Sequence, residues 1–383
     1  MLSCGLLIRG YALFSCSQPG CTHSKKVPFS CKSRFCPTCG KKATDQWIAT
    51  QQSVLPQTAW QHITFTMPSE LWVLFKDDYR LLGQLSALAA GTVQQVARDK
   101  GVLPGIFTAL HTFGRDLKYN VHIHLSVTLG GLSADHSAWK NLYFPKRKVM
   151  PQWRYGVISL LRQAYQADTL KLPPALQAQC PTLSEFNAWL DTHYRKAWIV
   201  HFTKPSKNPR HNVNYLGRYL KRPPLAQSRL QHAQRLQLRS SCPAGKPTLA
   251  SRLRYDGQSV VFEYLNHTTG QHQTRTDAAL AFIERFVQHI PDKGFRLIRY
   301  YGFLANRVRS AFLPTVYALL DQPAPQPLRL HWPTLLKQSF RLDPLQCLLC
   351  HAPLQLRAIV PGLPAPALQR YHWHLAVQKP INV

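Results

Sequence analysis

Residues 105–131 read GIFTALHTFGRDLKYNVHIHLSVTLGG, and this stretch is the main indication of the fold. Two apolar runs rich in β-branched and aromatic side chains, residues 105–114 and 120–131, are separated by a short polar connection that contains Arg115 and Asp116. Such a pattern predicts two neighbouring β-strands. Further strand patterns alternate with helical patterns along the chain, which predicts an α+β fold with a largely antiparallel sheet flanked by helices.

The second run carries His122 and His124, two positions apart. Because alternate residues of a strand point to the same face, both imidazoles project together. The pair is either half of a metal site or two solvent-facing histidines of an amphipathic strand. A third ligand is needed for a metal. If the two strands form a hairpin, His111 falls roughly opposite His124, and His211 is the competing residue.

The helical segment NVNYLGRYLKR, residues 212–222, places two tyrosines four residues apart. Tyr215 and Tyr219 therefore stack on one helix face, with their hydroxyls side by side. A tyrosine hydroxyl can attack a phosphodiester and form a covalent phosphotyrosine, and Arg218 and Lys221 are at hand to favour the phenolate. Core packing is the alternative interpretation of the same spacing.

Five cysteines lie between residues 16 and 39, as one C-x4-C pair, one C-x2-C pair and a further cysteine, Cys31, between the two pairs. Each pair can form a tight knuckle that presents two thiolates to one tetrahedral ion, as in a zinc ribbon. Cys31 and His23 are alternative ligands. Four thiolates leave no open position, so we expect a structural zinc ion held by Cys16, Cys21, Cys36 and Cys39.

A second C-x2-C pair, Cys347 and Cys350, lies near the other end of the chain and is half of a further zinc site. His372 and His374 could complete it, but a redox pair or unligated thiols explain the two cysteines equally well.

Domain boundaries follow from the change in composition after the cysteine-rich segment. Within the central part, the apolar spacing predicts one helix over residues 69–99 with Ser69 as N-cap, and another over residues 277–289 with Thr276 as N-cap. We expect three consecutive domains: a zinc-binding domain over residues 1–55, a catalytic domain over 56–305 and a C-terminal region with C-x2-C over 306–383.

The 383 residues include 47 lysines and arginines against 17 acidic residues, a formal charge of +30. Such a surplus predicts a polyanionic partner, with nucleic acid first and an anionic membrane surface second. No apolar window is long enough to span a membrane, and the N-terminus lacks the features of a secretory signal. The cysteine spacing favours metal ligation in a reducing compartment, so we expect a cytoplasmic location.

These elements together resemble one family. A cysteine-rich segment, a strand, a His-hydrophobic-His strand and a two-tyrosine helix occur in the order found in rolling-circle transposases of the insertion sequence 91 family, within the two-tyrosine HUH endonuclease superfamily. The matching stretches are SCKSRFCPTCG (30–40), HITFTMP (62–68), HTFGRDLKYNVHIHLSVTLGG (111–131), YLGRYLKRPP (215–224) and HIPDKGFRLIRYYGF (289–303).

The chain also begins abruptly at its cysteine-rich segment, so we expect a further portion upstream.

The resemblance implies a zinc ribbon followed by an HUH-type sheet, and an enzyme that nicks and joins single-stranded DNA in a bacterial cell. It implies metal ligation by His122 and His124, and nucleophilic attack by Tyr215 or Tyr219 that leaves a 5′-phosphotyrosine. The third ligand stays open, with His111 favoured. A site with two histidines should favour Mn²⁺ in vitro and use Mg²⁺ in cells by abundance.

Binding to DNA is expected from basic and aromatic residues of two segments, although RLIRYYGF also fits an ordinary core strand with a basic edge. No GxxxxGK[ST] motif occurs, so a host helicase would separate the strands. A plasmid replication initiator or relaxase, a non-catalytic zinc-ribbon DNA-binding regulator and a metallohydrolase are the alternatives. The expected DNA-binding residues are Arg218, Lys221, Arg222, Arg296, Arg299, Tyr300 and Tyr301.

Overall fold

The computed structural model describes residues 3–33, 35–206, 213, 217, 224, 253–255, 258–266, 269–324 and 326–377. None of the helices in these ranges is long and apolar enough to cross a membrane.

Strands and helices alternate along the described chain. In chain order they are β1 (Gly10–Cys16), β2 (Ser24–Pro28), α1 (Pro37–Val54), β3 (Trp60–Phe65), α2 (Tyr79–Arg98), β4 (Val102–Phe113), β5 (Tyr119–Ser133), β6 (Trp139–Asn141), α3 (Lys146–Gln166), α4 (Pro174–Gln179), α5 (Leu183–Tyr194), β7 (Val200–Phe202), β8 (Leu253–Tyr255), β9 (Ser259–Leu265), β10 (His272–Ala278), α6 (Ala279–Val287), β11 (Ile298–Gly302), α7 (Arg309–Leu319), α8 (Trp332–Phe340), β12 (Leu354–Pro361) and α9 (Ala365–Val377).

The largest sheet has the order β11-β4-β5-β3-β7, and β6 pairs with β5. All of its pairings are antiparallel, and β4 and β5 form the predicted hairpin. Side chains alternate between its two faces. One face carries fully buried apolar residues such as Ile63, Leu125 and Val127. Helix α2 packs against β4, and α3 packs against α2. The prediction of an antiparallel sheet flanked by helices is therefore confirmed.

The predicted helix over residues 69–99 is interrupted. Residues Ser69–Phe75 form a 3-10 helix, and α2 begins only at Tyr79. Asp77 has a left-handed backbone with φ of 63°, which cannot continue a right-handed helix. Asp78 then caps α2, because its side chain accepts a hydrogen bond from the Leu81 amide. Apolar periodicity alone did not reveal this break.

The second predicted helix begins later than expected. Thr276 and Asp277 lie in β10, where they pair with Val261 and Val260 of β9. Helix α6 starts at Ala279, so Thr276 is not its N-cap. The hairpin pairing takes the backbone groups that a helix start would have used. Strands β9 and β10 form an antiparallel hairpin.

The chain divides into two compact units, each made of more than one stretch of the sequence. The cysteine unit comprises residues 1–50, 221–283 and 328–383, and the histidine unit comprises residues 51–220 and 284–327. The physical reason is that β12 pairs with β1 along its whole length, which brings the C-terminal region to the N-terminal hairpin. Within the cysteine unit, β12-β1-β2 form one small sheet and β10-β9-β8 another.

Candidate metal centres and nucleic-acid groove

Three histidines meet on the central hairpin of the histidine unit. His111 of β4 pairs directly with His122 of β5, and Ala109 rather than His111 stands opposite His124. Opposed and alternate residues share a sheet face, so the three imidazoles converge. Their ring centroids lie 4.7 Å (His111 to His124), 4.9 Å (His122 to His124) and 5.3 Å (His111 to His122) apart. One nitrogen from each ring lies within 4.8 Å of the other two.

Hydrogen bonds orient two of the rings. His122 Nδ1 lies 3.0 Å from the carbonyl oxygen of Asn120. A carbonyl only accepts, so Nδ1 carries the proton and Nε2 presents its lone pair. His124 Nδ1 lies 3.1 Å from His62 Nε2. His62 Nδ1 lies 3.3 Å from the hydroxyl of Ser126.

His62 is a member of this cluster that the sequence analysis did not identify. It lies on β3 and pairs with Ser126 of β5, which places it on the histidine face. Its ring stacks on that of His124 with centroids 5.2 Å apart. The only available signal was a histidine in a predicted strand, and its partner became visible once the register of β3 against β5 was known.

The imidazoles of His62, His122 and His124 are neutral near pH 7. Burial lowers the pKa of His62 to about 3, and the nearby His201 adds to that effect. Burial also lowers the pKa of His122 and of His124, with the neighbouring imidazoles acting in the same direction on His124. Neutral imidazole is the form that binds a metal. The donor set of His111, His122 and His124 therefore fits a divalent cation with open positions left for other ligands.

The cysteines predicted to hold one zinc ion divide between two clusters. Cys36 and Cys39 join Cys4 and Cys31, whereas Cys16 and Cys21 join the C-terminal pair. The expected set of Cys16, Cys21, Cys36 and Cys39 is thus not brought together. The reason is topological, because β1 and β2 form a hairpin whose turn contains Cys21, and β12 delivers other thiols there.

The first cluster lies where the chain enters α1. Its ligand sulfurs all lie within 4.8 Å of one another, with Cys4 Sγ 3.5 Å and Cys31 Sγ 3.7 Å from Cys39 Sγ. The amide of Cys31 also donates to Cys4 Sγ at 3.4 Å. Four thiols in this arrangement fit a structural zinc ion. Cys31, an alternative ligand in the sequence analysis, belongs to this set, and His23 belongs to neither cluster.

The second cluster consists of Cys16, Cys21, Cys347 and Cys350. His372 and His374, which could complete a site with Cys347 and Cys350, have side chains outside the described residues. The cysteines that the structure supplies instead are more than 320 positions distant in the chain.

A groove of about 1160 Å³ runs beside α2 and the edge strand β11 in the histidine unit. The Arg299 guanidinium of β11 lies against α2 at Gly83, where an added Cβ would be 2.9 Å from it. Five basic residues and one acidic residue line the groove: Arg80, Lys293, Arg296, Arg299 and Arg307 against Asp292. Aromatic side chains lie among them: Tyr79, Phe295, Tyr300, Tyr301 and Phe312.

The groove contains Arg296, Arg299, Tyr300 and Tyr301, four of the residues expected to bind DNA. The strand β11 presents side chains to both sheet faces, because Tyr300 pairs with Phe107 and Arg299 with Thr108. Tyr300 packs on Phe107 with ring centroids 6.3 Å apart. The remaining predicted positions lie outside the described residues: Tyr215, Tyr219, Arg218, Lys221, Arg222 and His211.

Comparisons with known proteins bear directly on these sites. A family model described as "Putative transposase" matches residues 105–246 and 244–311, and one described as "Transposase zinc-binding domain" matches residues 1–67. The transposase for insertion sequence element IS801 from Pseudomonas savastanoi pv. phaseolicola is 39% identical over 369 residues, covering 96% of this chain and 84% of that protein.

A second relative, named "Putative transposase y4qJ", from Sinorhizobium fredii is 29% identical over 325 residues, covering 82% of this chain and 75% of its own. No solved structure matches the chain. The matched regions contain the residues of the first cysteine cluster and of the histidine cluster. The chain therefore belongs to the insertion sequence 91 family of transposases, with a transposase zinc-binding domain at its N-terminal end.

Proposed function

We propose that this transposase is a metal-dependent HUH endonuclease that nicks and joins single-stranded DNA at the ends of its element by tyrosine transesterification. The observation that carries the proposal is the convergence of His111, His122 and His124 on adjacent strands, with one nitrogen each within 4.8 Å of the others. The transposase match that contains this hairpin also includes Tyr215 and Tyr219.

The proposed reaction is a direct exchange of ester bonds. The hydroxyl oxygen of Tyr215 or Tyr219 forms a bond to phosphorus while the bond from phosphorus to O3′ breaks. The tyrosine gives up its proton and the O3′ leaving group gains one, so the products are a 5′-phosphotyrosine and a free 3′-hydroxyl. No ATP is required, because one phosphate ester replaces another. The second tyrosine offers a second covalent position for strand transfer.

The histidines prepare the site for this exchange. The carbonyl of Asn120 orients the His122 ring through its Nδ1, which leaves Nε2 directed away from that carbonyl. His62 orients the His124 ring through the Nδ1 of His124. Rigid strands keep these rings in place before DNA arrives, which lowers the cost of reaching the reactive geometry. A divalent cation, Mn²⁺ or Mg²⁺, when bound by these rings supplies positive charge to the scissile phosphate.

The groove beside β11 supports single-stranded DNA as the substrate. Arginines such as Arg296 and Arg299 can follow a phosphate backbone, while Tyr300 and Tyr301 offer ring faces for unpaired bases. The surplus of charge, +30 over the chain, favours the same partner. We further propose that a host helicase supplies the single strand and that the protein acts in the bacterial cytoplasm.

Gel detection of a covalent protein–DNA adduct tests the proposal. The protein is incubated with labelled single-stranded element-end DNA and Mn²⁺, then denatured. The wild type should give an adduct, and Tyr215→Phe with Tyr219→Phe should give none. His122→Ala with His124→Ala should lower nicking on the order of 100-fold or more while DNA affinity is largely kept.

The control is Tyr155→Phe, since Tyr155 is an exposed tyrosine of α3 outside the groove. Nicking by the double tyrosine variant at the wild-type rate would contradict the proposal. Site-specific binding without any adduct would instead identify a DNA-binding regulator. A replication initiator or relaxase shares the chemistry, and strand transfer between two element ends would separate the transposase from it.

A further inference from the structure

We propose that Cys16, Cys21, Cys347 and Cys350 form a second structural zinc site, which fastens the C-terminal strand β12 to the N-terminal hairpin. The zinc-binding domain recognised by comparison ends at residue 67. It contains all four thiols of the first cluster but only two of the second. Half of this second site therefore comes from a part of the chain to which no metal has been assigned.

The sulfur positions have the dimensions of a tetrathiolate site. Cys16 Sγ lies 3.3 Å from Cys350 Sγ, and Cys21 Sγ lies 3.8 Å from Cys347 Sγ. All four sulfurs lie within 4.8 Å of one another. With zinc–sulfur bonds of about 2.3 Å, the sulfurs of a tetrahedral site stand about 3.8 Å apart. The two measured separations are well beyond the roughly 2 Å of a disulfide bond.

The first cysteine of each pair accepts the same type of backbone hydrogen bond. The amide of Gln18 donates to Cys16 Sγ at 3.4 Å, and the amide of Leu349 donates to Cys347 Sγ at 3.4 Å. In each case the donor lies two residues after the first cysteine of its pair. Amide hydrogen bonds of this kind stabilise a thiolate, the form that ligates zinc.

The C-terminal turn closes tightly around its two cysteines. The amide of His351 donates to the carbonyl of Cys347 at 3.2 Å, and His351 itself has a left-handed backbone with φ of 59°. The amide of Cys347 donates to the carbonyl of Ala352 at 2.9 Å. These bonds hold Cys347 and Cys350 on the same side of the turn, directed at β1.

Apolar packing around the site is too small to hold β12 by itself. The buried residues of this cluster are Phe14, Cys16, Cys347 and Leu354. Along β12 only Leu354 is buried, whereas Leu356 and Ile359 are more than half exposed. Small elements without a core of their own need a staple such as a metal. A zinc ion here would connect the β1–β2 hairpin to the start of β12, where Cys16 pairs with Leu354.

Zinc analysis of the full-length protein tests the site directly. The purified wild type should contain two zinc ions per chain, and Cys347→Ser with Cys350→Ser should contain one. Cys180→Ser is the matched control, because Cys180 is a buried cysteine outside both clusters, and it should keep two. A wild type with one zinc ion, or a double variant that still holds two, would overturn the proposal.

A second measurement uses the wild type alone and so does not depend on the folding of a variant. Cys350 is an exposed residue, so as a free thiol it should react with iodoacetamide at once. As a zinc ligand it should resist alkylation until a chelator removes the metal, as mapped by mass spectrometry. Immediate alkylation of Cys350 in zinc-loaded protein would overturn the proposal.

Discussion

The two compact units combine metal-binding chemistry with folding in opposite ways. In the histidine unit, the histidines lie on a sheet whose other face is filled by buried residues such as Phe65, Leu125 and Val127. In the cysteine unit, two thiol clusters lie among short strands, and β12 leaves most of its side chains exposed. The histidine unit has enough buried apolar surface to fold without a metal, whereas the described residues of the cysteine unit bury little.

This difference indicates what a metal ion would do in each unit. Four thiolates close a coordination sphere and contribute to folding, whereas three imidazoles on a prebuilt sheet leave positions open for chemistry. Removing metal from the cysteine unit should therefore cost structure. Removing it from the histidine unit should cost activity alone.

The largest expected effect is the loss of structure after zinc is removed from the first cysteine cluster. Structural zinc contributes roughly 10 kcal/mol to the folding of small domains. Cys36→Ser, or a strong zinc chelator, should therefore raise amide hydrogen exchange throughout residues 3–50. The β4–β5 hairpin should remain protected. Hydrogen exchange read by mass spectrometry separates the two units, with Cys180→Ser as the control.

Equal deprotection of both units by the chelator would contradict this difference between the units, because the histidine unit would then also depend on a metal for its fold. Unchanged exchange in residues 3–50 would contradict it as well, since the thiol cluster would then be dispensable for folding.

An intermediate effect is expected at His62. If His124 ligates metal through Nε2, its Nδ1 carries a proton and donates to His62 Nε2, 3.1 Å away. Loss of such a supporting partner typically weakens metal affinity about 10- to 100-fold. His62→Ala should therefore lower the Mn²⁺ affinity by this factor, as measured by titration calorimetry, while the fold is unchanged. His62→Gln should recover most of the affinity, because its amide oxygen can accept the same bond.

His272→Ala is the control for this experiment, since His272 is an exposed histidine of β10 in the cysteine unit. Wild-type Mn²⁺ affinity in His62→Ala would show that β5 orients His124 without help. Loss of the fold in that variant would show that the histidine unit depends on its buried histidines for folding.

The smallest effect is expected in the groove of the histidine unit. Arg299→Ala removes one guanidinium that lies against Gly83. Affinity for single-stranded DNA should fall, and the slope of log affinity against log salt should become shallower by about one unit. Fluorescence anisotropy across a salt series measures both. Zinc and manganese binding should not change.

Arg98→Ala is the matched control, because Arg98 lies at the end of α2 outside the groove. An unchanged salt slope for Arg299→Ala would remove the groove as the path of the DNA. A change in metal binding would show that DNA binding and the histidine site are not separable within this unit.

Local sequence patterns determined much of this protein. The β4–β5 hairpin, the pairing of two histidines on one strand face, the presence of thiol sites and the likeness to a transposase family all follow from residues close together in the chain. These features depend on the two-residue period of a strand and on short ligand spacings, which are visible without any long-range contact.

Which distant residues share a site follows from the tertiary structure alone. The four cysteines predicted as one set belong to two, because β12 pairs with β1 across more than 330 residues. His62 joins His124 through the register of β3 on β5. The groove is lined by Arg80 of α2 and Arg299 of β11, which lie on different elements. Strand order and register arise from burial of whole surfaces, and that choice is not written in any local spacing.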